Sequence, residues 1–216
     1  MIQSMSLAVG VVMLALLWLG PLPSLAPHSF AAHMALHMGV VAVAAPLIAF
    51  GLASGAADPA ERWPRVFSAI PASLLELVVV WAWHTPALHH AARTTTLGSG
   101  MEQGLFLTSG LLLWLSALGG AGKNRQRLTA GMLALLLTSA HMTLLGALLG
   151  LSSRPLYVHA ASPLSTAAQL DDQHLGGAIM LVVGGIAYLA GGVWLATRLL
   201  DDRLRERRRP MPWGGI

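Results

Sequence analysis

A helix needs about 20 consecutive apolar residues to cross the hydrocarbon core of a bilayer, and the hydropathy of this chain reaches that length six times, near residues 5–25, 31–53, 66–86, 103–121, 128–151 and 175–199. Short polar or Pro/Gly-rich breaks separate them: Pro21, Pro23 and Pro27, then Asp58-Pro59 and Trp63-Pro64, then Gly119-Gly120-Ala121-Gly122. Lipid tolerates neither unpaired backbone nor open strand edges, so the pattern predicts an all-α bundle of six transmembrane helices. The spans leave no room for a separate soluble unit, and residues 1–216 read as a single transmembrane domain with a basic tail over 201–216. Within the last span, Gly176-Gly177, Gly184-Gly185 and Gly191-Gly192 recur on one helix face, where small residues let neighbouring backbones approach. The segment 152–173, with Pro155 and Pro163, is too polar to span and is expected to lie across one mouth of the bundle.

Composition agrees, with 55% hydrophobic and only 10% charged residues. Charge adds orientation. Arg62, Arg65, Lys123, Arg125, Arg127, Arg198 and the tail arginines Arg203 to Arg209 fall on one side of the six-span drawing, whereas the opposite loops hold only Arg93 and Arg154. The positive-inside rule then puts both termini in the cytoplasm. The basic tail is a contact for anionic lipid at the end of a span and no sign of nucleic-acid binding. Ser24-Leu25-Ala26 offers small residues at signal-peptide cleavage spacing, but no Lys or Arg precedes the apolar run, so the expectation is a retained anchor. The chain has no cysteine, which removes disulfides and thiolate metal sites and leaves methionine as its one soft ligand type.

With this topology all nine histidines lie at mid-membrane or further out. In the run Ala32-His33-Met34-Ala35-Leu36-His37-Met38, helical geometry puts His33 and His37 about 40° apart on one face, with Met34 and Met38 beside them. Two imidazoles at that spacing can share one metal ion, and adjacent thioethers favour Cu(I). The competing reading has the methionines filling core gaps and the histidines bonding between helices. His84, in Trp81-Ala82-Trp83-His84-Thr85-Pro86, comes at matching depth and is the third expected ligand, Trp81 and Trp83 being interfacial aromatics. His89 and His90 read as solvated loop residues, with metal capture as the alternative role. Asp171-Asp172-Gln173-His174 begins the last span, with acidic groups suited to its N-terminus and Met180 about two turns deeper. Asp172 and His174 are candidates for recruiting an ion and Met180 for a soft internal ligand. Glu76 and His141 are buried mid-span, where a proton relay and a structural hydrogen bond both stand as readings.

The ordered elements AHMALHM, WHTPAL, RPLY and DDQHLGGAIM resemble the polytopic CtaG family of cytochrome c oxidase assembly proteins, over about residues 30–195. This is not the single-span, cysteine-bearing copper chaperone that shares the name. The resemblance implies a bacterial inner-membrane factor for building haem-copper oxidase, acting in copper delivery with its histidine-rich face periplasmic or extracellular. It carries over His33, His37, Met38, Trp83, His84, Pro86, Glu102, Asp172, Gln173, Gly176, Gly177 and Met180. Relatives tend to place a histidine directly after the glutamate of the fourth span; here Gln103 follows Glu102. The implied partners are the oxidase catalytic subunit and a periplasmic copper carrier. A b-type cytochrome with bis-histidine haem and a metal-free structural chaperone are the alternatives. No nucleophile–base motif or phosphate-cradling loop points to an enzyme.

Overall fold

The computed structural model describes residues 1–53, 58–120, 124–157 and 165–208, and every regular element among them is helical. His159, Pro163, Lys123 and Arg209 lie outside the described residues. Apart from single turns at Leu22–Leu25 and Pro59–Arg62, the helices in chain order are α1 (Ile2–Leu19), α2 (Phe30–Leu52), α3 (Ala69–Trp83), α4 (Pro86–Thr94), α5 (Thr96–Leu118) and α6 (Arg125–Gly150). A continuous α7 follows from Thr166–Ile179 through Met180–Gly184 to Gly185–Arg208. Five of these segments are long and apolar enough to cross a membrane, and α3 is a shorter apolar helix of 15 residues.

Two boundaries depart from the hydropathy reading. The stretch 66–86 divides, because Pro86 has no N–H to continue α3; it instead takes an early position of a new helix, α4. His89 and His90 therefore sit on a helix, and His89 is buried rather than solvated. The last helix starts at Thr166, not near 175. Its polar Asp172-Gln173-His174 segment can be helical inside the bundle because neighbouring chain satisfies each side chain. Gln173 accepts from Leu156 N (2.7 Å) and donates to Leu149 O (3.2 Å), while His174 Nε2 donates to Ser152 O (2.8 Å).

Asp172 makes the most consequential of these bonds. Its carboxylate reaches across to the start of α2 and accepts from the Ser29 hydroxyl (2.8 Å), Phe30 N (2.6 Å) and Ala31 N (3.3 Å). Ser29 in turn accepts from Ala32 N. The first-turn amides of α2, which no intrahelical carbonyl can take, are thus satisfied partly by another helix 143 residues away in sequence.

Below this clamp, α2 contains a π-helical turn at Gly39–Ala44, and the residue responsible is Pro46. Ala45 N bonds to Val40 O, so the next π-type partner, for Val41 O, would be the nitrogen of Pro46, which carries no hydrogen. Trp114 Nε1 (3.0 Å) donates to that orphaned carbonyl instead, with the Tyr188 hydroxyl 3.3 Å away. Trp114→Phe should lower stability in detergent unfolding by about 1 kcal/mol for the lost bond; an unchanged midpoint would show that Tyr188 alone suffices.

The glycine pairs serve helix contact, as their spacing predicted. A Cβ on Gly177 would fall 2.6 Å from Gly150 N and 2.8 Å from Gly146 O, so α6 and α7 touch backbone to backbone. Gly191 receives the edge of the Trp114 ring in the same way. At the other edge of the bundle α1 packs on α2 through Gly10 and Gly51, and buries only Gly10 and Leu17 of its own residues.

Candidate metal centre

Helices α2, α3, α4 and α5 converge on a buried group of four imidazoles and one carboxylate. His33 and His37 come from α2, His84 from the end of α3, His89 from α4 and Glu102 from α5, each at most 6% exposed. The His33 ring centroid lies 5.0 Å from that of His89, 6.1 Å from His84 and 6.5 Å from His37; His37 and His84 are 5.5 Å apart. One ligand atom each of His33, His89 and Glu102 lie mutually within 4.8 Å, the geometry of a potential metal site.

Local structure prepares these rings. The α3 helix stops at His84, whose Nδ1 meets Val80 O at 2.6 Å. A carbonyl can only accept, so Nδ1 carries the proton and Nε2 presents a bare lone pair. Among the described residues that Nε2 has no hydrogen-bond partner, and neither has any ring nitrogen of His33 or His37. Unbonded buried polar atoms are costly, and three neutral imidazoles, each with one lone-pair nitrogen to offer, fit an ion bound among them. Imidazole and carboxylate together suit copper or zinc.

Glu102 is already neutralised. One of its oxygens, Oε2, pairs with the Arg93 guanidinium from α4 and stands 3.7 Å from His33 Nδ1; the other, Oε1, has no partner. Burial draws the Arg93 pKa below the usual arginine value, and the adjacent Glu102 charge opposes that shift. Gln103 Nε2 also reaches Glu102 Oε2 (3.4 Å), while Gln103 Oε1 accepts from Trp18 of α1 (3.3 Å). The residue standing in place of the family histidine thus ties the glutamate to α1.

An aromatic lid closes one side of the cluster. Tyr157 stacks on Phe30 (4.7 Å), sits 4.3 Å from the His89 ring and donates its hydroxyl to His84 O (2.7 Å). Burial pushes the Tyr157 phenol above its ordinary range, so it remains a donor. The expectation that the 152–173 segment covers one mouth holds for this part of it. Phe106 of α5 forms the inner floor, 3.9 Å from the His37 ring.

Other candidates fall elsewhere. Met34 and Met38 turn toward α7: Met34 Cγ lies 3.0 Å from a Cβ placed on Gly176, and Met38 Sδ 3.3 Å from one on Gly184. They sit beside the imidazoles rather than among them. Met180 is fully buried in the α7 core. Asp172 and His174 are held in the bonds described above. Glu76 receives the Tyr188 hydroxyl at 2.7 Å, and both ring nitrogens of His141 lack a hydrogen-bond partner, so these two residues do not bond each other.

Sequence reading missed His89, Arg93, Tyr157 and Phe106 as parts of the site. A signal for the first two exists: with Pro86 at a helix start, His89, Ala92 and Arg93 fall at i, i+3 and i+4 on one face.

Fold and site together define a polytopic helical protein with a buried histidine–carboxylate cluster near one end. The family model for the cytochrome c oxidase caa3 assembly factor (Caa3_CtaG) matches residues 2–202, and the chain belongs to that family. No curated protein and no solved structure matches it.

Proposed function

We propose that this chain spans the bacterial cytoplasmic membrane six times, with both termini inside, and carries copper as cargo for the catalytic subunit of a haem-copper oxidase. The observations behind the cargo reading are the unbonded ring nitrogens of His33, His37 and His84 and, beside them, ligand atoms of His33, His89 and Glu102 within 4.8 Å of one another. With α3 as the sixth span, the arginine-rich loops and tail lie in the cytoplasm and the imidazoles near the outer face, where a periplasmic copper carrier can meet them. The α3 helix is only about 22 Å long, which brings its terminal His84 within the depth of the outer leaflet. Close packing favours a bare ion over a haem: His33 and His89 stand edge to face, with Phe106 against His37.

Arg93 gives this site a way to let its cargo go. With no ion bound, the guanidinium supplies the positive charge that a buried carboxylate requires. An arriving cation competes with Arg93 for Glu102, and the return of Arg93 compensates the carboxylate on release.

Titration of the purified full chain with Cu(I) against a chromophoric chelator tests both statements. The protein should withdraw Cu(I) from the chelator, and Arg93→Ala should retain it about tenfold more tightly, equivalent to ~1.4 kcal/mol. No withdrawal by the wild type overturns the cargo reading. Weaker retention by Arg93→Ala leaves cargo binding intact but removes the counter-cation role.

A further inference from the structure

At the opposite end of the bundle, α3, α5 and α6 enclose a polar cavity of about 270 Å³. Phe67 and Ser68 line it from the start of α3, Ser116 from the end of α5, and Asn124, Gln126 and Arg127 from the start of α6. This is just under the range of about 300–1,000 Å³ typical of small-molecule pockets, so a small group is the natural occupant.

Three features point to an anion. The α3 helix, 15 residues long, opens here with Ser68 as its N-cap, yet the Ser68 side chain makes no capping bond. Pro71 supplies no first-turn donor, so the Ala69 and Ile70 amides and the positive end of the helix dipole are left uncapped by side chains. Independently, Ser116 is only 3% exposed and its hydroxyl has no hydrogen-bond partner among the described residues. A buried hydroxyl without a partner marks a place where a ligand can supply one. Third, Arg127 lines the cavity, and its guanidinium donates to Ala60 O at 3.1 Å. No aspartate or glutamate is among the described lining residues.

We propose that this cavity binds a phosphate group, held by Arg127, the Ser116 hydroxyl and the open N-terminus of α3. A helix N-terminus and an arginine both suit phosphate oxygens. Two sources share that chemistry: a phospholipid headgroup and free inorganic phosphate. The site is independent of the copper reading, because none of its residues touches the imidazole cluster.

The test uses the full chain in mild detergent. Binding is read by native mass spectrometry and by the shift in thermal unfolding with added dioleoylphosphatidylglycerol, dioleoylglycerol or inorganic phosphate at constant ionic strength. Phosphatidylglycerol should bind and raise the unfolding midpoint while the phosphate-free dioleoylglycerol does not. A response to inorganic phosphate as well assigns the site to the free anion; a response to the lipid alone assigns it to the headgroup. Ser116→Ala should weaken binding about tenfold, and Arg127→Gln should abolish it. Should Arg127→Gln fail to fold, Ser116→Ala removes only one hydroxyl and still decides the matter. No response to either phosphate source, or equal binding by wild type and Ser116→Ala, overturns the proposal.

Discussion

Copper retained by the purified protein falls by about a hundredfold or more in the variant His33→Ala/His37→Ala, while its folded fraction stays close to that of the wild type. The size of the first effect follows from removing two of the imidazoles that meet at the cluster; even partners one step removed from a metal ligand contribute about 10–100-fold to affinity. The second half of the result is the more discriminating. Neither ring nitrogen of His33 or His37 has a hydrogen bond in the protein. Alanine therefore breaks no bond at these positions and relieves the burial of four unsatisfied polar atoms, against the cavity each ring leaves behind. If the histidines served helix packing alone, the double variant would lose stability and copper would be irrelevant. Elemental analysis together with detergent unfolding separates the two. A double variant that unfolds readily, from a wild type that holds no copper, would mean a structural chaperone. His90→Ala is the matching control, because His90 is exposed on the outer turn of α4.

Asp172→Ala behaves in the opposite way: stability falls by about 2 kcal/mol or more, and copper bound per folded molecule does not change. The carboxylate uses both oxygens on the Ser29 hydroxyl and the Phe30 and Ala31 amides. Loss of a capping side chain costs about 0.5–2 kcal/mol, and the charge of Asp172 at a helix N-terminus adds to that. Asp172→Asn keeps one acceptor oxygen and should fall between the two. Should Asp172→Ala instead lower copper retention with stability intact, the residue would return to the ion-recruiting role its position in the sequence suggested.

These two residue sets show where sequence reading reached and where it stopped. His33 and His37 were accessible because helical periodicity fixes two residues four apart, and His84 because hydropathy puts it at matching depth. Those inferences need only local geometry. His89 was lost because its burial depends on the chain turning back at Pro86, so that α4 lies over the cluster. Asp172 was read as an ion-recruiting residue, with capping of its own helix as the competing reading, but the helix it caps is α2. No local rule can supply a partner 142 residues away. The Arg93–Glu102 pair has the same character. Glu102 was carried over from the family pattern, whereas the arginine that neutralises it was noticed only as an exception to the charge asymmetry. Span boundaries erred for a related reason: a polar segment such as Asp172-Gln173-His174 reads as loop until the neighbours that satisfy it are known.

The Asp172 clamp also has a mechanical side. It fastens α7 to the first turn of the helix that carries His33 and His37, and lower down both helices contain π-turns, at Gly39–Ala44 and Met180–Gly184. Met38 meets Gly184 beside those turns. The upper portions of α2 and α7 therefore form one lever, bolted at the top and jointed where both ladders change pitch. Through these bonds α7 is tied directly to the helix that carries His33 and His37, with no loop in between.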